Sequence, residues 1–83
     1  MRLLYFAWVK EKAGIAAEEI EPPAGVATVA ELIEWLKARG PEFENAFARS
    51  EVIRAAIDRS HVRHDAKIAG AREIAFFPPV TGG

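Results

Sequence analysis

Residues 28–41 read Thr-Val-Ala-Glu-Leu-Ile-Glu-Trp-Leu-Lys-Ala-Arg-Gly-Pro, and this stretch sets the architecture because it carries the clearest local signal in the chain. Thr28 and Glu31 have the spacing of a capping box, in which each side chain bonds the other's backbone N–H. Val29, Leu32, Ile33 and Leu36 fall at i, i+3, i+4 and i+7 and form one apolar stripe on a predicted helix. Arg39 suits the last turn, Gly40 a left-handed C-cap, and Pro41 the position just beyond. A helix with one apolar stripe buries one side only, so the remaining chain must supply the surface that receives it.

The segments on either side read as strands. Residues 2–9, Arg-Leu-Leu-Tyr-Phe-Ala-Trp-Val, are rich in aromatic and branched residues and predict a strand. A period of two places Leu3, Tyr5, Ala7 and Val9 on one face and Leu4, Phe6 and Trp8 on the other, both apolar. Such a strand is either buried on both sides or keeps one face for another protein. Ala17–Glu21 predicts a polar edge strand ended by Pro22-Pro23, with the Glu18-Glu19 pair solvated. Past the helix, Phe43 and Phe47, four apart, predict one short helical turn over the core. Val52–Asp58 predicts a strand, Asp58-Arg59-Ser60 a turn, His61-Val62-Arg63 a short return, and Asp65–Arg72 a loop held by Ile68 and bent at Gly70. Glu73–Phe77 is the last strand, with Ile74 and Phe76 on one face and Ala75 and Phe77 on the other. The expectation is an α+β domain of two layers over residues 1–79: a mixed sheet whose first and last strands are adjacent, with one main helix packed on one face. That is the β-grasp arrangement, and residues 80–83 are left as a tail.

Composition narrows the function. With 83 residues and no cysteine, the chain has no disulfide, no thiolate metal site and no cysteine nucleophile. Residues 1–45 carry five basic and eight acidic groups, and residues 46–83 carry six and four. A basic excess that small does not suggest nucleic acid and fits an acidic protein partner at least as well. No apolar run approaches the roughly 20 residues of a membrane span. The first residues pass directly into a strand pattern without a cleavable leader, so the cytoplasm is the expected compartment. His61, His64 and Asp65 form a weak metal-ligand cluster without a fourth partner, and two solvated histidines are the better reading. Ser50 and Ser60 lack a recognisable base, and the glycines are too scattered to cradle a phosphate. No bound cofactor or metal is expected, and the chain reads as no stand-alone catalyst.

The C-terminal stretch Phe76-Phe77-Pro78-Pro79-Val80-Thr81-Gly82-Gly83 is the exception. Pro78 and Pro79 hold φ near −65° and fix the exit direction from a strand that should be central. The four residues after Pro79 reach at most about 13 Å, at about 3.3 Å each. Lacking Cβ atoms, Gly82 and Gly83 suit a narrow channel in another enzyme. A bare carboxylate is a poor electrophile, but joining it to AMP creates a good leaving group. Sulfur from a persulfide can then displace AMP and leave a C-terminal thiocarboxylate.

These residues resemble the small, sulfur-carrying subunit of molybdopterin synthase, a ubiquitin-like β-grasp family. Ala75–Gly83 is similar to its "AFFPPV-x-GG" ending, and Tyr5-Phe6-Ala7 with Lys10-Glu11 and Gly14 is similar to its "FFA-x-x-RE-x-x-G" opening. Thr28-Val29-x-x-Leu32 and Ala55-Ala56-Ile57-Asp58 are similar to its helix start and its "AVN" strand end. The resemblance implies that Gly83, adjoining Gly82, is adenylated by an ATP-using, ubiquitin-activating-type enzyme. It implies thiocarboxylation from a sulfur donor of cysteine desulfurase or rhodanese type, then delivery of sulfur to cyclic pyranopterin monophosphate in the large subunit. Two carriers on a dimer of large subunits are implied as well. The chain would be the non-catalytic donor subunit of that sulfurtransferase, with ATP used by the activating enzyme.

The same resemblance implies partner contacts for Phe6, Phe77, Leu4, Trp8, Lys10, His61, Pro78, Pro79, Val80 and Thr81. The alternation independently sets Phe6 and Phe77 away from the predicted core; the other placement is as core aromatics under a better-covered sheet. Lys10 stands where the family has Arg, losing a bidentate fork. Ile57-Asp58 stands for Val-Asn, Gly70–Glu73 for "DGDE", and His61 for a commonly apolar residue. The rival readings are a carrier for thiamin or tRNA thiolation, which shares fold and activation, and a ubiquitin-like modifier or binding module.

Overall fold

The first strand stops four residues before the alternation predicts. In the computed structural model, which describes residues 1–79, β1 spans Arg2–Tyr5 and the chain then turns into α1, Ala7–Ala13. Phe6 keeps an extended backbone, but Ala7 takes φ +52°, a left-handed conformation that reverses the strand direction. From there the apolar period becomes helical: Val9 and Ala13, four apart, are buried while Lys10, Glu11 and Lys12 are exposed. Gly14, at φ +84°, ends the helix and donates its N–H to the Lys10 carbonyl. The predicted strand over residues 6–9 is therefore corrected to a cap and a first helical turn, and Val9 enters the core from a helix.

β2, Ala17–Glu19, runs antiparallel to β1 as the predicted edge strand. The helix over Val29–Lys37, α2, forms as its stripe requires, with Val29, Leu32, Ile33 and Leu36 buried and the Thr28–Glu31 capping box closed from both sides. Two further N–H groups of its first turn, on Val29 and Ala30, donate to the carbonyls of Ala66 and His64, so the long loop before the last strand completes the cap. Gly40 does not take the left-handed role predicted for it. Its backbone is extended, α2 ends at Ala38, and Gly40 precedes α3, Pro41–Ala46, with Pro41 at the first position, where a missing N–H costs nothing. Phe43 and Phe47 lie at that turn as expected, and Phe47 is fully buried.

A 3₁₀ turn, Ser50–Val52, leads into β3, Arg54–Ile57. Asp58 and Arg59 turn with φ of 47° and 72° into β4, Ser60–Val62. β5 occupies Glu73–Phe77, as read from the sequence. The sheet order is β2-β1-β5-β3-β4, with β1 and β5 parallel and the other pairs antiparallel. This is the β-grasp fold. All three helices contribute to one core on a single sheet face, where Leu3, Tyr5, Ile53, Ala55, Ile74 and Phe76 meet Val9, Leu32, Ile33, Leu36 and Phe47. Tyr5, Phe47 and Phe76 pack there with ring centroids 5.1–6.3 Å apart.

Candidate functional site

The registers that build the core also build its opposite face. Ala17, Leu4, Ala75, Ala56 and His61 are successive partners across all five strands and form one transverse row. One row toward the start of β5 the side chains are charged, Glu19, Arg2 and Glu73. One row toward its end stand Phe77 and its partner Arg54. The uncovered face thus grades from charged to apolar to aromatic in the direction in which the chain leaves the sheet.

Phe6 belongs to that aromatic end. Its extended backbone carries the alternation of β1 one residue further, its N–H donates to the Phe76 carbonyl at 3.1 Å, and its side chain is 48% exposed. Phe77 is half-buried and lies against the exposed His61 ring, centroids 5.3 Å apart. Leu4 is half-buried in the adjoining row. The sequence reading of Leu4, Phe6 and Phe77 as outward-facing holds, and His61 lies among them. Trp8 does not. On α1 it packs partly buried against the core, with the Lys12 ammonium 5.1 Å from its ring centroid. Lys10 is exposed on the same helix, off the sheet.

Pro78 and Pro79 continue from β5, both half-buried. Pro79 borders an open cleft of about 410 Å³ to which Arg54, Arg63 and His64 also contribute. His64 directs Nε2 to the Ile53 carbonyl at 2.8 Å, whereas His61 faces Phe77, so the two histidines point to different neighbours. Among the described residues no three His, Asp or Glu side chains gather as metal ligands do. The remaining predicted tail residues, Val80, Thr81, Gly82 and Gly83, lie outside the described residues, as does the 80–83 segment as a unit.

One cluster has no local signal. The Tyr5 hydroxyl donates to Glu18 Oε2 at 2.8 Å, and Arg39 Nη1 and Nη2 donate to Oε2 and Oε1 at 2.9 and 2.8 Å. The Arg39 guanidinium also lies over Phe43 and Trp35, 4.6 and 5.3 Å from their centroids. Hydrogen bonding to Arg39 holds the Glu18 carboxyl below its ordinary range, while burial first, and then the Glu18 bond, raises the Tyr5 phenol far above its own. Glu18 is therefore no solvated edge residue; it clamps β2 and the chain after α2 onto the core. Glu31 is also held low, by the backbone N–H groups of Ala27 and Thr28. These displaced groups serve the fold, and none lies on the uncovered sheet face.

That arrangement suits delivery more than catalysis: an exposed apolar and aromatic face beside a proline-stiffened exit from a central strand. The ThiS family model matches residues 3–83. The "Molybdopterin synthase sulfur carrier subunit" of Escherichia coli strain K12 is 34% identical over 83 residues, covering 100% of this chain and 99% of that protein. Its namesake from Haemophilus influenzae is 31% identical with the same coverage. The crystal structure of SAMP1 from Haloferax volcanii superposes with a TM-score of 0.74 at 26% identity, over 100% of this chain and 98% of that one. Among the described residues no helix is long and apolar enough to cross a membrane.

Proposed function

The chain belongs to the ThiS family, and we propose that it serves there as the sulfur carrier of a molybdopterin synthase. The observation that carries this reading is the exit of β5. The strand is central, between β1 and β3, and it ends in Phe77-Pro78-Pro79 beside an uncovered face bearing Leu4, Phe6 and Ala75. A partner docked on that face receives whatever follows Pro79, and the chain's last residues are Gly82 and Gly83.

The carrier's chemistry is confined to its terminal carboxyl. A carboxylate oxygen of Gly83 attacks the α-phosphorus of ATP on an adenylating enzyme, expelling pyrophosphate and forming an acyl adenylate. The terminal sulfur of a donor persulfide, of cysteine desulfurase or rhodanese type, displaces AMP. Thiol reduction of the resulting acyl disulfide leaves the thiocarboxylate. In the active site of the large subunit that sulfur attacks a carbon of the cyclic pyranopterin precursor, displacing an oxygen leaving group. Water then hydrolyses the resulting thioester, leaving the sulfur on the pterin and releasing the carrier as a carboxylate. The chain supplies one atom and its placement; ATP belongs to the activating enzyme, and the assembly pairs two carriers with a dimer of large subunits in the cytoplasm. Absence of cysteine fits a carrier whose sulfur is held on an acyl carbon.

Intact-mass measurement of the protein produced together with its adenylating enzyme and sulfur donor tests the reading. One terminal oxygen replaced by sulfur is expected, and deletion of Gly83 abolishes the replacement without moving the unfolding midpoint. A carboxylate alone, with an active adenylating enzyme present, overturns it. Loaded carrier converts the pyranopterin precursor when mixed with the large subunit; activity with a thiazole synthase or a tRNA thiolation enzyme instead assigns the other pathways. Isopeptide linkage to lysines without sulfur loading assigns a protein modifier.

A further inference from the structure

The cleft at the root of the exit has an electrostatic defect that the carrier reading does not use. Arg54 is the β3 partner of Phe77, and continuing the β3–β4 register one step past Ala55 and Val62 sets Arg63 opposite Arg54. Both arginines border the cleft, with Val52, Val62 and Pro79 as its apolar wall. Like charges directly opposite on one face of an antiparallel pair repel. Among the described residues neither guanidinium forms an ion pair or a side-chain hydrogen bond, and Glu51, the acid that lines the cleft, lies 3.5 Å from Arg49 instead. His64 adds an imidazole to the two guanidinium groups, tied through Nε2 to the Ile53 carbonyl. Two unpaired forks at the edge of an aromatic patch are a receptor for carboxylates, which guanidinium binds in bidentate geometry.

We infer that Arg54 and Arg63 form a socket for an acidic segment of the large subunit, seated when the sheet face docks. This rests on the carrier reading. The charge complementarity is specific in place. Phe77, the partner of Arg54, leads on through Pro78 to Pro79, and Ala75 and Leu4 stand in the adjoining row, so the arginines form a charged edge to an apolar patch. The terminal carboxylate follows Pro79 by four residues, a reach of at most about 13 Å. An acidic segment on the arginines, which border Pro79, belongs at the mouth of the channel that receives the tail. A basic root and an anionic tip admit one orientation of insertion and oppose the reverse. Rim charges of this kind act on association rate and register more than on the depth of binding.

The test is stopped-flow association of the full chain with its large subunit across a range of NaCl concentrations. The variants are Arg54→Glu with Arg63→Glu, and the neutral pair Arg54→Gln with Arg63→Gln. Wild-type association is expected to slow steeply with salt. The doubly reversed variant should associate at least about tenfold more slowly at low salt and with a flattened or inverted salt slope, the neutral pair falling between. Thermal unfolding of the neutral pair should be unchanged or improved, since a repulsion is removed; a structural role for the arginines lowers it. Compensating Asp or Glu to Arg changes on the large subunit should restore the rate of the reversed variant. Equal rates and salt slopes for all three proteins overturn the socket, and if the wild type is meanwhile sulfur-loaded by intact mass and binds, the carrier reading survives. Variants that bind the large subunit normally but fail to be adenylated also overturn the assignment, placing the acidic segment on the adenylating enzyme. A wild type that neither loads nor binds overturns both.

Discussion

Glu18 and Glu19 are neighbours of identical chemistry with opposite fates. Glu18 receives Tyr5 and both terminal nitrogens of Arg39, whereas Glu19 stays exposed on the outer row beside the N-terminal amine. A pair of glutamates before a proline stop carries nothing that distinguishes them, because the partner that selects Glu18 is 21 residues away. The selection has a pH signature. The folded-state pKa of Glu18 lies below that of the unfolded chain, chiefly through its bond to Arg39, so its contribution is fully present above the ordinary carboxylate range and is lost as pH falls through the depressed value. Glu18→Gln should cost about 1–2 kcal/mol at neutral pH, the part-exposed pair being worth less than a dry one. In urea unfolding at a series of pH values, the gap between wild type and variant should close on acidification; a gap independent of pH would show that packing, not charge, holds Glu18.

At the scale of elements, the alternation of β5 was legible because a period of two is local and one face was due to be buried; Ile74 and Phe76 are fully buried, Ala75 and Phe77 half-exposed. The same rule failed after Tyr5. Phe6, Ala7, Trp8 and Val9 have the composition of a strand, yet Val9, Ala13 and Gly14 already carry the spacing and stop signal of a helix that strand propensity obscured. What turns the chain is the positive φ of Ala7. A left-handed residue with a Cβ costs about 1–2 kcal/mol, against about 0.5–1 kcal/mol for the extra freedom glycine gives the unfolded chain. Ala7→Gly is accordingly expected to leave stability unchanged or raise it by up to about 1 kcal/mol, and the exposed Phe6 keeps its place. Marked destabilisation in thermal unfolding would show that the Ala7 methyl group contributes packing that its exposure denies.

For the molecule as a whole, two layers leave one sheet face without a cover, and adjacent phenylalanines on β5 report on the two sides. Phe76→Ala should cost about 3–5 kcal/mol of stability, as for aromatic truncation in a sealed core. Phe77→Ala should cost far less in unfolding but weaken large-subunit binding by more than about 1 kcal/mol, read by calorimetric titration. Unchanged affinity would return Phe77 to a purely structural role. The order of the five strands with α2 among them, the adjacency of first and last strands and the two-sided β5 could all be read from residue order, since periods of 2 and 3.6 are properties of neighbouring residues. So could the Gly-Gly terminus, which needs no fold to be recognised. The folded neighbours alone settled where β1 gives way to α1, which glutamate is clamped, and that Arg54 and Arg63 border one cleft with no ion-pair partner among the described residues. The clamp shows why: Glu18 and Arg39 are 21 residues apart in sequence yet meet at 2.8–2.9 Å, and Coulomb and hydrogen-bond energies follow distance in space, not separation along the chain.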